Sequence, residues 1–234
     1  MNIAIITARG GSKRIPRKNI KDFCGVPIIT YSIAAALESG LYQEVMVSTD
    51  DGEIADIARR AGASVPFMRS TDTSSDYATT SDVLYEVLEE YRKMGTDFKY
   101  MTCLYPTAPF ITAEKLESAM ELLLRTNADS IIPVVQFSFP PQRCNVIRDG
   151  LLEMKWPENL SIRSQDLEPL YHDCGQFYVA KVTSFLAHKQ LLMPQTRPLI
   201  LPEEEVQDID NESDWRLAEI KYQVMIQNKL SDRK

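Results

Sequence analysis

The sequence predicts an α/β fold, a mostly parallel sheet flanked by helices, and three observations carry that expectation. Short β-branched or apolar runs at residues 3–6, 44–48, 100–104 and 130–135 alternate with stretches whose apolar positions recur every three to four residues. Gly and Pro punctuate the junctions, as at Pro27, Gly40 and Gly62. The length, 234 residues with 44% hydrophobic content, suits one sizeable core, so a single domain over residues 1–234 is expected.

Residues 3–6 read as the first strand, followed by the pair Gly10-Gly11. Six cations then crowd together, Arg9, Lys13, Arg14, Arg17, Lys18 and Lys21, before the first acid at Asp22. The chain as a whole is acidic, with 26 Lys+Arg against 33 Asp+Glu. A local excess of positive charge beside a buried strand therefore points to a phosphate-rich ligand. Glycines at positive φ would let successive N–H groups approach an anion. Nearby Lys and Arg would neutralise it, and Ser12 adds a hydroxyl donor. The spacing matches neither G-x-x-x-x-G-K-[ST] nor G-x-G-x-x-G, so no ordinary ATPase or dinucleotide motif is present. A solvated basic turn at a sheet edge is the alternative.

Residues 27–37 predict a helix with Pro27 in its first position. After the strand at 44–48, Asp50 or Asp51 caps a second helix that closes at Gly62, and residues 64–67 read as a third strand. Ligands of such sheets bind beyond the carboxyl ends of the strands, where the Arg9 loop sits. Residues 69–80, RSTDTSSDYATT, are polar and lack a period. The helix over 81–94 carries Val83, Leu84, Val87, Leu88 and Tyr91 on one stripe. Beyond the strand at 100–104, Tyr105-Pro106-Thr107-Ala108-Pro109 makes a rigid turn suited to a base or ribose. A helix over 112–125 and a strand over 130–135 follow.

From Gln136 the rhythm changes. Phe137, Phe139, Val146-Ile147, the turn Asp149-Gly150 and Leu151-Leu152 predict an antiparallel excursion over roughly residues 136–171, too short for a core of its own. Further on, Asp208 and Asp210 flank Ile209. On extended backbone both carboxylates share one face, a hard oxygen pair suited to Mg2+, although Asp210 equally suits the cap of a helix starting at 212.

Several function classes are disfavoured. The cysteines, Cys24, Cys103, Cys144 and Cys174, form no C-x-x-C pair, which argues against a zinc site and a disulfide framework. His172 and Cys174 stand two apart and would share a face on extended backbone, so a thiol nucleophile is open there but has no further motif behind it. The net charge of −7 disfavours nucleic-acid or anionic-membrane binding. No run of eighteen apolar residues occurs, and a cytoplasmic protein is expected.

The string ARGGSK followed by Lys18-Asn19 resembles the loop of cytidylyltransferases that activate nine-carbon α-keto acid sugars, the CMP-sialic acid synthetase family. The likeness runs over nearly the whole chain and ends at Asp208 to Trp215. RIPRKN, YPTAPF and HDCGQFY are similar to the pseudaminic acid branch. The resemblance implies a Rossmann-like fold of nucleotide-diphospho-sugar transferase type, CTP and a nonulosonic acid as substrates, and Mg2+. It also implies a homodimer made by the excursion, each chain reaching toward its partner's site. Arg9, Lys13, Lys18, Asp208 and Asp210 are then catalytic, with Asp208 and Asp210 on the metal. Ala8, Arg9, Gly10, Gly11, Ser12, Lys13, Lys18, Asn19, Arg69, Thr80, Asp82, Pro106 and Thr107 bind nucleotide. Tyr105, Arg163, His172 and Gln176 face the sugar, Arg163 toward its carboxylate. The residues alone leave Asp82 open as a helix cap and Arg163 as an ion pair with Glu168 or Asp166. Sialic or legionaminic acid as the sugar, and a non-catalytic nucleotide-binding regulatory module, are the alternatives. Thr7, Val26 and Val179 depart from the family's usual Pro, Lys and Trp.

Overall fold

A computed structural model describes residues 1–231. The chain runs through β1 (Asn2–Thr7), a hairpin of β2 (Asp22–Phe23) and β3 (Val26–Pro27), α1 (Ile29–Glu38), β4 (Glu44–Ser48), α2 (Gly52–Arg60), α3 (Thr71–Ser74) and α4 (Thr80–Lys93). It continues with β5 (Tyr100–Leu104), α5 (Ala113–Thr126), β6 (Ser130–Gln136), β7 (Asn145–Arg148), β8 (Leu151–Met154), β9 (Tyr171–Asp173), β10 (Phe177–Lys181), α6 (Val182–His188), β11 (Thr196–Ile200) and α7 (Glu212–Ser231).

The central sheet has the order β11-β6-β10-β5-β1-β4, with β9 added to β6. β1 pairs in parallel with β4 and β5, and β11 with β6, whereas β10 runs antiparallel to both β5 and β6 and β9 runs antiparallel to β6. The sheet is thus mixed, with the parallel strands predominating. Strand periodicity explains the layers. In β1, Ala4 and Ile6 face α1, α2 and α5, meeting Ile33, Ile54 and Leu116, while Ile3 and Ile5 face α4 and α6, meeting Leu84, Val87 and Phe185. Each buried Ile or Leu contributes about 1.5–3 kcal/mol through area removed from water.

Three local expectations change. Pro27 closes the β2–β3 hairpin, and α1 begins two residues later. Residues 64–67 are not a strand: Ser64 makes one parallel bridge to Met46, and Pro66, lacking an N–H, cannot extend the ladder. Of the two acids before α2, Asp51 is the cap, accepting from the N–H groups of Glu53 and Ile54, both at 3.0 Å.

A third apolar cluster fixes the far end of the site. Ile15, Phe23, Ile28 and Phe110 pack with Ile209, Trp215, Ala218 and Met225, so α7 and the segment before it are clamped onto the base of the Arg9 loop. The excursion behaves differently. Its β7–β8 hairpin turns at Asp149-Gly150, both at positive φ, and leaves Ile147 76%, Leu151 67% and Leu152 71% exposed. No helix among the described residues is long and apolar enough to cross a membrane.

Candidate functional site

Thr7 pairs with Ser48 and Ile6 with Leu104, so the carboxyl ends of β1, β4 and β5 lie side by side. The chain leaving each end contributes to one cleft of about 600 Å³. From β1 come Arg9, Ser12, Lys13, Arg14, Lys18 and Asn19; from the segment after β4, Arg69, Thr73, Ser75, Asp76 and residues 78–80; from the turn after β5, Tyr105, Pro106 and Thr107.

The loop after β1 is held by bonds that the sequence does not announce. Ala8 N–H donates to the Ser48 carbonyl at 2.9 Å, Gly10 N–H donates to Asp50 Oδ1 at 2.8 Å, and buried Asn19 donates from Nδ2 to the Arg9 carbonyl at 2.8 Å. Neither Gly10 nor Gly11 has positive φ; the left-handed residue of the loop is Arg17, at φ 56°. Gly10 is required for space instead, because a Cβ there would lie 2.8 Å from Asp51 Oδ2. Arg17 grips Asp51 through both terminal nitrogens and reaches Glu53 at 2.5 Å. That contact raises the guanidinium pKa and holds the Asp51 carboxyl below its usual value. Lys21 pairs with Glu212 at 2.7 Å and lies over the Trp215 ring. Two of the six cations are therefore structural ties.

The remaining cations face the cleft. Arg69, only 8% exposed, donates from Nε to Ser48 Oγ at 2.9 Å and from Nη2 to the Ser48 carbonyl at 2.6 Å. Burial pushes its pKa down to about 10, which leaves it charged at neutral pH. Lys18 donates to the Ile209 carbonyl at 2.5 Å; its burial lowers the amine's pKa, against the pull of Asp210 and Asp208. Arg14 pairs with Asp210 at 2.6 Å. Arg9 and Lys13 share Asp76, at 2.9 and 2.5 Å. Thr80 Oγ1 lies 3.3 Å from the Tyr105 hydroxyl, and the Tyr105 ring meets Tyr178 edge-on.

A second cavity of about 290 Å³ is lined by Gln136, Phe137, His172, Gln207, Asp208 and Lys221, among others. The two acids straddle the pair of cavities: Asp208 lines the smaller, while Asp210 is tied to Arg14 on the wall of the larger. Ile209 between them is buried. The cap of α7 is Asn211, whose Oδ1 accepts from the Ser213 and Asp214 N–H groups, so Asp210 is not spent as the cap.

Other expected residues lie elsewhere. Asp82 completes a capping box with Thr79 and does not line the cleft, which is the local role open to an acid at a helix start. Arg163 stands on the excursion, paired with Asp166 at 2.7 Å, and lines neither cavity. Gln176 is buried; its Nε2 donates to the Glu205 carbonyl at 2.7 Å, its own backbone carbonyl accepts from Tyr105 N–H, and its Oε1 has no hydrogen-bond partner among the described residues. Ala8, Gly10 and Gly11 support the loop rather than line the cleft. Cys174 is buried in a small apolar cluster with Val135, Leu201 and Val206, and burial pushes its thiol up to about 12, the reverse of an activated nucleophile. Val26 is exposed on the β2–β3 hairpin, Val179 is buried in the sheet, and Thr7 lines the cleft. Asp76 and Thr79 were missed; the acid-and-hydroxyl density of residues 69–80 was the available signal.

Asp208 and Asp210 suit Mg2+ in chemistry. Asp208 makes no side-chain hydrogen bond or ion pair among the described residues, and Asp210 is held only by a half-exposed pair. Among the described residues no third acid or histidine completes a cage there. Mg2+ is ordinarily held through one or two carboxylates together with substrate phosphates, so this incomplete set fits.

A basic cleft of this kind, built beyond the carboxyl ends of parallel strands, defines an α/β protein that takes a polyphosphate ligand. The family model described as Cytidylyltransferase matches residues 3–149. A pseudaminic acid cytidylyltransferase of Campylobacter jejuni is 38% identical over 224 residues, covering 95% of this chain and 97% of its own length. A CMP-N,N'-diacetyllegionaminic acid synthase of Legionella pneumophila is 35% identical over 223 residues, covering 93% and 94%. The chain belongs to the cytidylyltransferase family and is a CTP-dependent enzyme. The fold is also that of a solved CMP:2-keto-3-deoxy-manno-octonic acid synthetase complexed with CTP, with a TM-score of 0.67 at 17% identity over 97% of this chain and 99% of that one.

Proposed function

We propose that the enzyme couples CTP to a nonulosonic acid, specifically pseudaminic acid, giving the CMP-sugar and pyrophosphate. The observation that carries the reading is the convergence of Arg9, Lys13, Lys18 and Arg69 on one cleft; a separate cavity has Asp208 and His172 at its wall. The first cavity suits the nucleotide and the second the sugar acid. The 38% identity to a relative named for pseudaminic acid favours that sugar.

The anomeric hydroxyl attacks the α-phosphate in line, forming the new O–P bond as the bond to pyrophosphate breaks and giving up its proton to water. Arg9, Ser12 and Lys13 stabilise the charge that gathers on the departing pyrophosphate. Arg69, anchored on Ser48, adds a fixed positive charge that needs no rearrangement. Asp208 and Asp210 would hold Mg2+, which when bound supplies charge neutralisation to phosphate oxygens. Pro106 and Thr107 border the base and ribose, with Tyr105 beside them, and His172 faces the sugar end; Gln176 acts from beneath, holding the Tyr105 backbone. The excursion supports a homodimer in which Arg163 serves the partner's sugar carboxylate as a bidentate donor.

The test is pyrophosphate release from CTP and Mg2+ with pseudaminic, legionaminic or sialic acid, beside a control without sugar. Release with pseudaminic acid well above the other acids is expected. Release with legionaminic acid alone would reassign the substrate, and release with none would remove the proposed reaction.

A further inference from the structure

Among the described residues that line the larger cleft, Asp76 is the only acid. It sits on the short connection between α3 and α4, a poor location by simple electrostatics for a cleft meant to receive a polyanion. Its carboxylate is fully used: Oδ1 accepts from Arg9 Nη1 at 2.9 Å and Oδ2 from Lys13 Nζ at 2.5 Å. The preceding carbonyl, that of Ser75, also accepts from Arg9 Nη1 at 3.2 Å. One side chain thus spans the two cations that the proposed reaction assigns to the departing pyrophosphate.

A permanent structural bridge would be buried, and this one is not. The side chains of Asp76, Arg9 and Lys13 are 46%, 38% and 77% exposed. At such exposure ion pairs are weak, and each partner has water within reach when the pair opens. The neighbouring elements are anchored independently of Asp76. Glu86 on α4 accepts from the Ser70 N–H at 2.8 Å and also from the Thr73 hydroxyl, while Thr79 caps α4. Asp76 can leave its cations without unseating either helix.

We infer that Asp76 is a resident carboxylate that occupies Arg9 and Lys13 before nucleotide arrives, gives them up to the terminal phosphates, and returns as pyrophosphate departs. This rests on the cytidylyltransferase reading of the cleft. Before binding, the carboxylate offsets repulsion among Arg9, Lys13 and their basic neighbours. On binding, a ligand whose phosphates reach both cations carries the cost of displacing it, and a ligand that reaches neither does not. Asp76 therefore weakens CTP and pyrophosphate by a common factor, and it keeps the second product from lingering.

The experiment is equilibrium titration of the full chain and of Asp76→Asn with CTP, pyrophosphate and CMP. Asp76→Asn should bind CTP and pyrophosphate about three- to tenfold more tightly, with CMP unchanged, given the weakness of two exposed ion pairs. Asp76→Ala should repeat the result, which separates loss of charge from any hydrogen bond made by Asn. Equal or weaker binding of pyrophosphate in both variants would overturn the exchange and make Asp76 a preorganising partner. Tightening of CMP by the same factor would overturn it too, since the effect would then be general field rather than exchange. If the unaltered chain binds neither CTP nor pyrophosphate, the reading of the cleft itself fails.

Discussion

The loop of residues 8–19 and the excursion of residues 136–171 both extend from the central sheet, yet they use their side chains in opposite ways. In the loop, partners come from within the chain: Gly10 bonds Asp50, Asn19 bonds the Arg9 carbonyl, Arg17 grips Asp51, and Lys18 reaches the Ile209 carbonyl. The excursion is also tied internally, with Gln142 Nε2 donating to the Glu168 carbonyl and Asn159 Nδ2 to the Gln142 carbonyl. Its apolar side chains, however, remain turned to solvent, Leu152 at 71% and Leu160 at 69%. Charge can be satisfied by one facing carboxylate. Apolar area can be satisfied only by comparable area, which a hairpin of this size does not own.

The contrast is strongest if chemistry depends on the loop side and assembly on the excursion. Asp210→Ala should lower pyrophosphate release at least about a hundredfold, as expected for an acid that holds the metal. The fold should persist, because the ion pair of Asp210 among the described residues is with the exposed Arg14. Full turnover in a folded variant would break the assignment. Comparable in size, Leu152→Asp should weaken the proposed symmetric dimer by at least about two orders of magnitude, since each of two copies forfeits roughly 1.5–3 kcal/mol of burial. Sedimentation over a concentration series checks this, and an unmoved association constant would assign the exposed face of β7 and β8 some other use. The smallest effect sharpens the role of Gly10. Gly10→Ala should raise the CTP requirement about tenfold, because its methyl must displace an Asp51 already locked by Arg17. An unchanged KM would show that the loop tolerates the shift.

Much of this was legible before any coordinates. The strand at residues 3–6, the helices over 81–94 and 112–125, and the polar turn beyond Leu104 follow from periodicity and Pro placement, and they occur within a residue or two. The two acids around buried Ile209 also follow from alternation. Less legible was the use made of each charge. Six clustered cations look equivalent in sequence, but Arg17 and Lys21 tie the loop to α2 and α7. Gly10-Gly11 reads as a positive-φ pair, whereas one glycine makes room for Asp51 and the strained position is Arg17. Arg163, open in sequence as a sugar ligand or as an ion pair with Glu168 or Asp166, pairs within its own chain with Asp166.

What the sequence determined by itself was local: which segments alternate, which helices own an apolar stripe, and that a basic loop follows a buried strand. These depend on backbone periodicity and composition, which short range contains. The tertiary structure decided the partners. It set Asp76 across Arg9 and Lys13, Ser48 beneath Arg69, Asp51 against Gly10, and α7 over the loop through Trp215 and Ile209. The physical reason is that an ion pair or hydrogen bond is specified by position in space to within a few tenths of an ångström. Residues separated by tens of positions acquire that proximity only when the sheet brings the ends of β1, β4 and β5 together.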